Sequence, residues 1–140
     1  MGENQLKEFG EIHVSEIMVT DPLYITPEEK ISATELLMLR KKINGLPVVN
    51  NHDQKKVIGI ITQRDIRLAR FAMSLESPNT IVEDLMTPEP FIIRKDALIK
   101  EALKIMFNND IERLPVVNDN NQLMGLLLMK GVLKKLLEYL

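Results

Sequence analysis

The sequence predicts a mixed α/β fold of the α+β type, built from two copies of one β-α-β-β-α unit. Three observations carry that expectation. Leu46-Pro47-Val48-Val49-Asn50 is spelled again as Leu114-Pro115-Val116-Val117-Asn118. The 68-residue offset between Pro47 and Pro115 holds without a gap from Val14/Val82 to Asn50/Asn118, and Met18, Pro22, Ile25, Ile31, Met38 and Ile43 recur at it. About a third of the aligned positions are identical, which marks duplicated supersecondary units that complete each other's core. Two copies do not make a solenoid; a pseudo-twofold pair packed face to face in one compact module fits better.

Each copy reads in the same order. A short segment ending in Met (Ile17-Met18; Leu85-Met86) leads to a Pro-marked extended stretch, Leu23-Tyr24-Ile25 or Phe91-Ile92-Ile93. An amphipathic helix follows, over 31–42 and 99–108. Ile99, Ala102, Leu103 and Met106 fall at i, i+3, i+4 and i+7 on one buried face, with Asp96 placed to N-cap. Pro115 stands at the mouth of a strand, where its missing N–H is tolerated, and Val116-Val117 favour extended backbone. The turn Asn118-Asp119-Asn120-Asn121 makes a hairpin with the strand over 122–128. The first copy has two extra residues in this turn, so Gly59 matches Gly125 at an offset of 66. Closing helices are expected over 65–75 and 131–140. Thr80-Ile81-Val82-Glu83 has capping-box spacing. The boundaries are thus an N-terminal head (1–11), repeat one (12–76), a Ser77-Pro78-Asn79 linker (77–79) and repeat two (80–140).

Composition narrows the function classes. The 45% hydrophobic content of 140 residues supplies a core, and the 4% aromatic content makes it aliphatic. With 18 basic and 20 acidic residues the net charge is −2, which gives no electrostatic case for nucleic acid or an anionic membrane. Zero Cys removes disulfides, zinc-thiolate sites and thiol nucleophiles. No apolar stretch is long enough to span a bilayer, and no signal-peptide pattern opens the chain, so a soluble cytoplasmic protein is expected. His13 and His52 have no companions at metal-ligand spacing. No phosphate-loop motif occurs, and Asp65 has no sequence partner for acid/base work. No catalytic residue, metal ligand or required cofactor is expected.

The opening Ile-Met, the Pro-marked strand, the amphipathic helix, Ile-x-x-Leu-Pro-Val-Val-Asn and Gly59-Ile60-Ile61-Thr62-Gln63-Arg64-Asp65-Ile66 together resemble the cystathionine-β-synthase (CBS) domain. Two in tandem resemble a Bateman module, here a stand-alone CBS-pair protein, over about residues 12–138. The resemblance implies two three-stranded sheets, each with two helices, related by pseudo-twofold symmetry. It also implies inter-repeat clefts that bind adenosyl ligands, a regulatory role, and pairing into dimers.

Thr62-Gln63-Arg64-Asp65 carries the most pointed chemistry. A carboxylate can accept two hydrogen bonds from a ribose cis-diol, and a Thr hydroxyl can serve sugar or phosphate. Spacing alone reads as a capping box; the resemblance adds ribose contact by Thr62 and Asp65, and the two roles are compatible. The resemblance also places basic groups from the opposite repeat on the phosphates, at Arg113 and Lys130, with solvated surface cations as the alternative. Adenine falls to Met18-Val19-Thr20 and Asn44-Gly45-Leu46, which equally suit core packing. Repeat two has Leu128 and Gly131 at the Thr62 and Asp65 positions, with Glu112 beside Arg113, so the mate of the first cleft reads as degenerate.

The expected function is a sensor that binds AMP, ADP or ATP and signals to an unidentified protein partner. The alternatives are a structural dimerisation module without nucleotide, a binder of S-adenosylmethionine or its thioether product, and an enzyme. Val132, Leu133, Leu136, Leu137, Tyr139 and Leu140, with Phe71 and Leu75, suit either a homodimer surface or packing between the repeats.

Overall fold

The computed structural model describes residues 2–73 and 78–140; Leu75 and Ser77 lie outside them. In chain order the elements are α1 (Glu3–Gly10), β1 (Val19–Thr20), α2 (Ile31–Lys41), β2 (Gly45–Val49), β3 (Val57–Thr62), α3 (Gln63–Met73), α4 (Val82–Leu85), β4 (Thr87–Pro88), β5 (Ile93–Arg94), α5 (Ile99–Asn108), β6 (Arg113–Val117), β7 (Leu123–Leu128) and α6 (Met129–Leu136). Short 3-10 turns cover Val14–Glu16 and Leu137–Tyr139.

The chain forms two compact units, residues 1–22 with 91–140, and residues 23–90. They do not follow the sequence copies. The opening of repeat one packs in the unit built from repeat two, and the opening of repeat two packs in the other. In the first unit, β1-β7-β6-β5 form a four-stranded sheet. In the second, β2-β3-β4 form a three-stranded one, to which Ile25 adds a parallel bridge at Val48.

The exchanged segments are held by matched bonds. Val14 N–H donates to Ala97 O at 2.8 Å, as Val82 N–H does to Glu29 O at 2.8 Å. Ile99 N–H donates to Ile12 O at 2.8 Å, and Ile31 N–H to Thr80 O at 3.0 Å. These last two satisfy first-turn amides that a helix cannot pair internally. Val14 and Val82 are fully buried, a burial that contributes about 1.5–3 kcal/mol for a side chain of this kind.

This bonding corrects two sequence expectations. Asp96 does not cap α5: the N-cap is Leu98, whose N–H donates to the Glu101 carboxylate at 2.8 Å. The box expected at Thr80 is displaced by one residue, because the helix starts at Val82 with Ile81 as its N-cap, whose N–H donates to Asp84 at 3.0 Å. Helix α3 begins at Gln63 and α6 at Met129, each two residues before the expected start, because each strand passes directly into its helix.

Each unit has its own core. Phe9, Ile12, Val14, Ile93, Ile99, Ala102, Met106, Leu114, Val116, Leu127 and Val132 fill the first. Ile25, Ile31, Met38, Leu46, Val48, Ile61, Ile66 and Val82 fill the second. Helix α1, in the head for which no element was expected, contributes Phe9, whose ring meets Tyr139 edge-on at 5.7 Å.

Backbone shape is duplicated more faithfully than sequence. Among the described residues, positive φ at non-glycine positions falls in matched pairs: Asp21 and Glu89 (46° and 48°), Lys42 and Asp110 (55° and 52°), Lys55 and Asn121 (53° and 62°). Asn50 and Asn118, the last letters of the pentapeptide, both organise the hairpin turns. Asn50 Oδ1 accepts from Lys56 N at 2.9 Å, and Asn118 Oδ1 from Gln122 N at 3.0 Å.

Gly59 and Gly125 seat the exchanged strands. A Cβ on Gly59 would lie 2.6 Å from Met86 Sδ and 3.1 Å from Thr87 O; on Gly125 it would lie 2.5 Å from Met18 Sδ and 2.8 Å from Val19 O. A methionine tip can swing aside, but a paired strand's carbonyl cannot. Gly125→Ala is therefore expected to cost about 1–3 kcal/mol of stability, and Gly59→Ala less. Denaturant melts of both variants check the order, and an unaffected Gly125→Ala protein contradicts the strand seating.

Candidate ligand-binding site

The strand-to-helix passage of β3 into α3 brings several polar groups of the second unit together. Gly45, first in β2, pairs with Thr62, last in β3. Gln63 N–H donates to Asn44 O at 2.9 Å, which ties the helix start to the approach to β2. The capping box is present in full: Thr62 N–H donates to Asp65 Oδ2 at 2.9 Å, and Asp65 N–H to Thr62 Oγ1 at 3.1 Å. Both side chains are half-buried. The box fixes the carboxylate at the positive end of the helix and occupies Oδ2, while Oδ1 lies outside the pair. Asn44, Gly45, Thr62 and Asp65 thus gather at one end of one sheet. Leu46 is 1% exposed and belongs to the core.

Arg113, Lys130, Met18, Val19 and Thr20 all belong to the first unit. Arg113 opens β6, pairs with Leu128 and is half-buried. Lys130 is exposed in the first turn of α6, and neither cation has an ion-pair partner among the described residues. Met129 N–H donates to Glu112 O at 2.9 Å, the counterpart of Gln63 on Asn44. Val19 and Thr20 pair with Leu126 and Gly125 and are exposed, while Met18 packs on the core of the unit.

Several other polar groups among the described residues have local roles. Tyr24 Oη and His52 Nδ1 share a hydrogen bond of 2.9 Å in the longer first-copy turn. Arg64, Arg67 and Arg70 are exposed along α3, and Arg70 pairs with Glu35. Among the described residues no group of three or more His, Cys, Asp or Glu could hold a metal ion. No described helix is long and apolar enough to cross a membrane.

A duplicated α/β chain with exchanged openings and a Thr–Asp pair at a strand-to-helix end is a tandem module of one recognisable class. The chain belongs to the CBS-domain family, which it matches twice, over residues 14–71 and 82–138. Its relatives include the inosine-5'-monophosphate dehydrogenase of Bacillus subtilis, 34% identical over 98% of this chain and 27% of that enzyme. The chain spans about a quarter of the length of the curated relatives it matches. Among solved structures it is similar to CBSX2 in complex with AMP, a CBS-pair protein from Arabidopsis thaliana (TM-score 0.80, 26% identity, 90% of this chain and 96% of that one). It also shares its fold with the CBS pair of protein MJ0100, solved with 5'-methylthioadenosine and S-adenosyl-L-methionine (TM-score 0.80, 23% identity, 91% and 98% covered).

The box gives Asp65 a structural duty that can be separated from any ligand contact. Asp65→Ala removes it and is expected to destabilise by about 1 kcal/mol. Asp65→Asn keeps an acceptor at the cap and should cost less. Thermal melts of the two variants without ligand check this, and equal losses count against the box.

Proposed function

We propose that this chain is a regulatory sensor that binds an adenine nucleotide, AMP, ADP or ATP, and signals its occupancy to a protein partner. The observation that supports it best is the Thr62–Asp65 pair, held by its own capping bonds beside Gly45 with one carboxylate oxygen to spare. A cis-diol presents two O–H donors, and a fixed carboxylate is a fitting acceptor for both. The likeness to a CBS-pair protein solved with AMP points the same way. In this reading Asp65 and Thr62 take the ribose, Arg113 and Lys130 take the phosphates, and main-chain groups at Met18-Val19-Thr20 and Asn44-Gly45-Leu46 border the adenine. Arg113 offers a planar fork suited to phosphate oxygens, whereas Lys130 is a point charge. Binding biases a partner only as far as the nucleotide prefers one of two conformations.

We also propose that the partner set includes a second copy of the chain. On the terminal helix Val132 is buried, and Leu136 and Tyr139 pack on the core. Leu133, Leu137 and Leu140 are 55%, 66% and 76% exposed, and on α3 Phe71 is 89% exposed. Leu137→Glu is expected to shift a sedimenting dimer to monomer; an unchanged sedimentation coefficient removes this face from the interface.

The nucleotide reading is tested by a thermal-shift panel of AMP, ADP, ATP, adenosine and S-adenosylmethionine. A ligand at a hundred times its Kd stabilises by about 2.7 kcal/mol, so micromolar binders register. Asp65→Ala is expected to lose charge-assisted bonds of about 1.5–3 kcal/mol, roughly ten- to hundredfold in affinity. Arg113→Ala should weaken AMP and ATP while sparing adenosine. No stabilisation by any adenosyl compound would favour a structural module, and equal losses for AMP and adenosine in Arg113→Ala would remove its phosphate role.

A further inference from the structure

We infer that the Phe9–Tyr139 ring contact is a clasp by which helix α1 sets the terminal turn, so that Leu137 and Leu140 are presented to a second copy of the chain. The inference rests on the dimer reading above and adds Phe9 and Tyr139 as positioning residues for that interface. Both lie outside the two stretches that match the CBS family, 14–71 and 82–138, so the shared fold does not account for the clasp.

Helix α1 is anchored where Phe9 sits. Phe9 is 7% exposed and belongs to the core of the first unit. The chain turns directly after it, with Ile12 N–H donating to Phe9 O at 3.2 Å, and Ile12 O receives Ile99 N–H at 2.8 Å. His13 adds an antiparallel bridge to Leu98. These bonds fix the end of α1 against the start of α5, and the Phe9 ring is a fixed surface within the unit.

The terminal turn has little hold of its own. Helix α6 gives way at Leu137 to a single 3-10 turn, whose bonding geometry is poorer than that of an α-helix. Leu140 N–H donates to Leu137 O at 3.2 Å, and Lys135 and Glu138 form a surface ion pair of 2.7 Å, a kind that solvent weakens. Past Leu136, Tyr139 is the residue that packs on the core. Its ring meets Phe9 at 5.7 Å between centroids with 71° between planes, an edge-on arrangement that aromatic pairs prefer. Leu137 and Leu140 remain 66% and 76% exposed. One short stretch of backbone thus carries the ring inward and the leucines outward. A clasp on the ring orders the leucines before a partner arrives, which lowers the ordering cost of association. The partner is a second copy because the exposed apolar group recurs. Phe71 stands at the place of Leu137 in the first repeat (137 − 71 = 66, the offset of Gly59 and Gly125), and it too faces solvent. A surface carried by both repeats suits a contact in which each partner offers the same patch.

Sedimentation of the full chain, with hydrogen exchange over 129–140, tests the inference. The parent is expected to dimerise. Tyr139→Ala, at a half-buried position, should stay folded, speed exchange over the terminal turn and raise the dimer dissociation constant about tenfold. Tyr139→Leu keeps apolar bulk and takes its place if the alanine variant melts early. Phe9→Leu keeps an apolar side chain in the core, lies out of a partner's reach, and should act in the same direction. Leu6→Ala, at an exposed position on α1, should leave the constant unchanged. Folded variants at Tyr139 and Phe9 with the parent's constant overturn the inference, even where Leu137→Glu gives monomer. An equal loss in Leu6→Ala would put α1 in the interface itself and overturn the positioning role. A parent that sediments as monomer overturns the dimer reading, and this inference with it.

Discussion

Everything in this fold depends on the reciprocal exchange of opening segments between the two copies. Val14 and Val82 fill the core of the unit built from the other copy, and the Ile12 and Thr80 carbonyls receive the first amides of α5 and α2. Met18 and Met86 lie over Gly125 and Gly59, where no side chain fits. Each contact is a short-range matter of one amide or one missing methyl. Together they decide which residues share a core. Because the exchange is made in both directions, the same physical solution appears twice with different side chains.

The candidate site follows from the same geometry. Beta strands that run directly into helices bring a strand-end hydroxyl and a first-turn carboxylate within capping distance, and the box holds them there. A carboxylate so fixed has lost most of its rotamer freedom before any ligand arrives, which lowers the ordering cost of binding. In the proposed reading, the residues that cap are also the ones that would recognise. A stability measurement on Asp65 reads its capping duty, and an affinity measurement tests the proposed one.

Much of the architecture was legible in the chain. The apolar spacing from Ile99 to Met106 and the recurrence of Ile31 and Met38 marked α5 and α2, and Asn-rich turns between β-branched runs marked the hairpins. Strands β1 and β4 were not legible, because two residues carry no periodicity. The exchange was invisible for a related reason: periodicity reports which face is buried, not which copy buries it. Asp96 misled because the helix begins only at Ile99, with Leu98 as its N-cap and the Glu101 carboxylate taking the Leu98 amide. At the candidate site, spacing alone made the Thr62–Asp65 capping box readable, while ribose contact came only from the family resemblance. The pairing of Gly45 with Thr62 depends on strand register, for which the sequence offered the hairpin but not the partner atoms.

The crossing over of the two openings also bears on how such a chain could have arisen. A lone copy would have had a greasy trough where its neighbour's valine now sits, and a free arm with nothing to cover. Two identical molecules could have lent each other those arms. Joined in one chain, two such copies hold each other's arms at a fixed one-to-one ratio whatever the protein concentration.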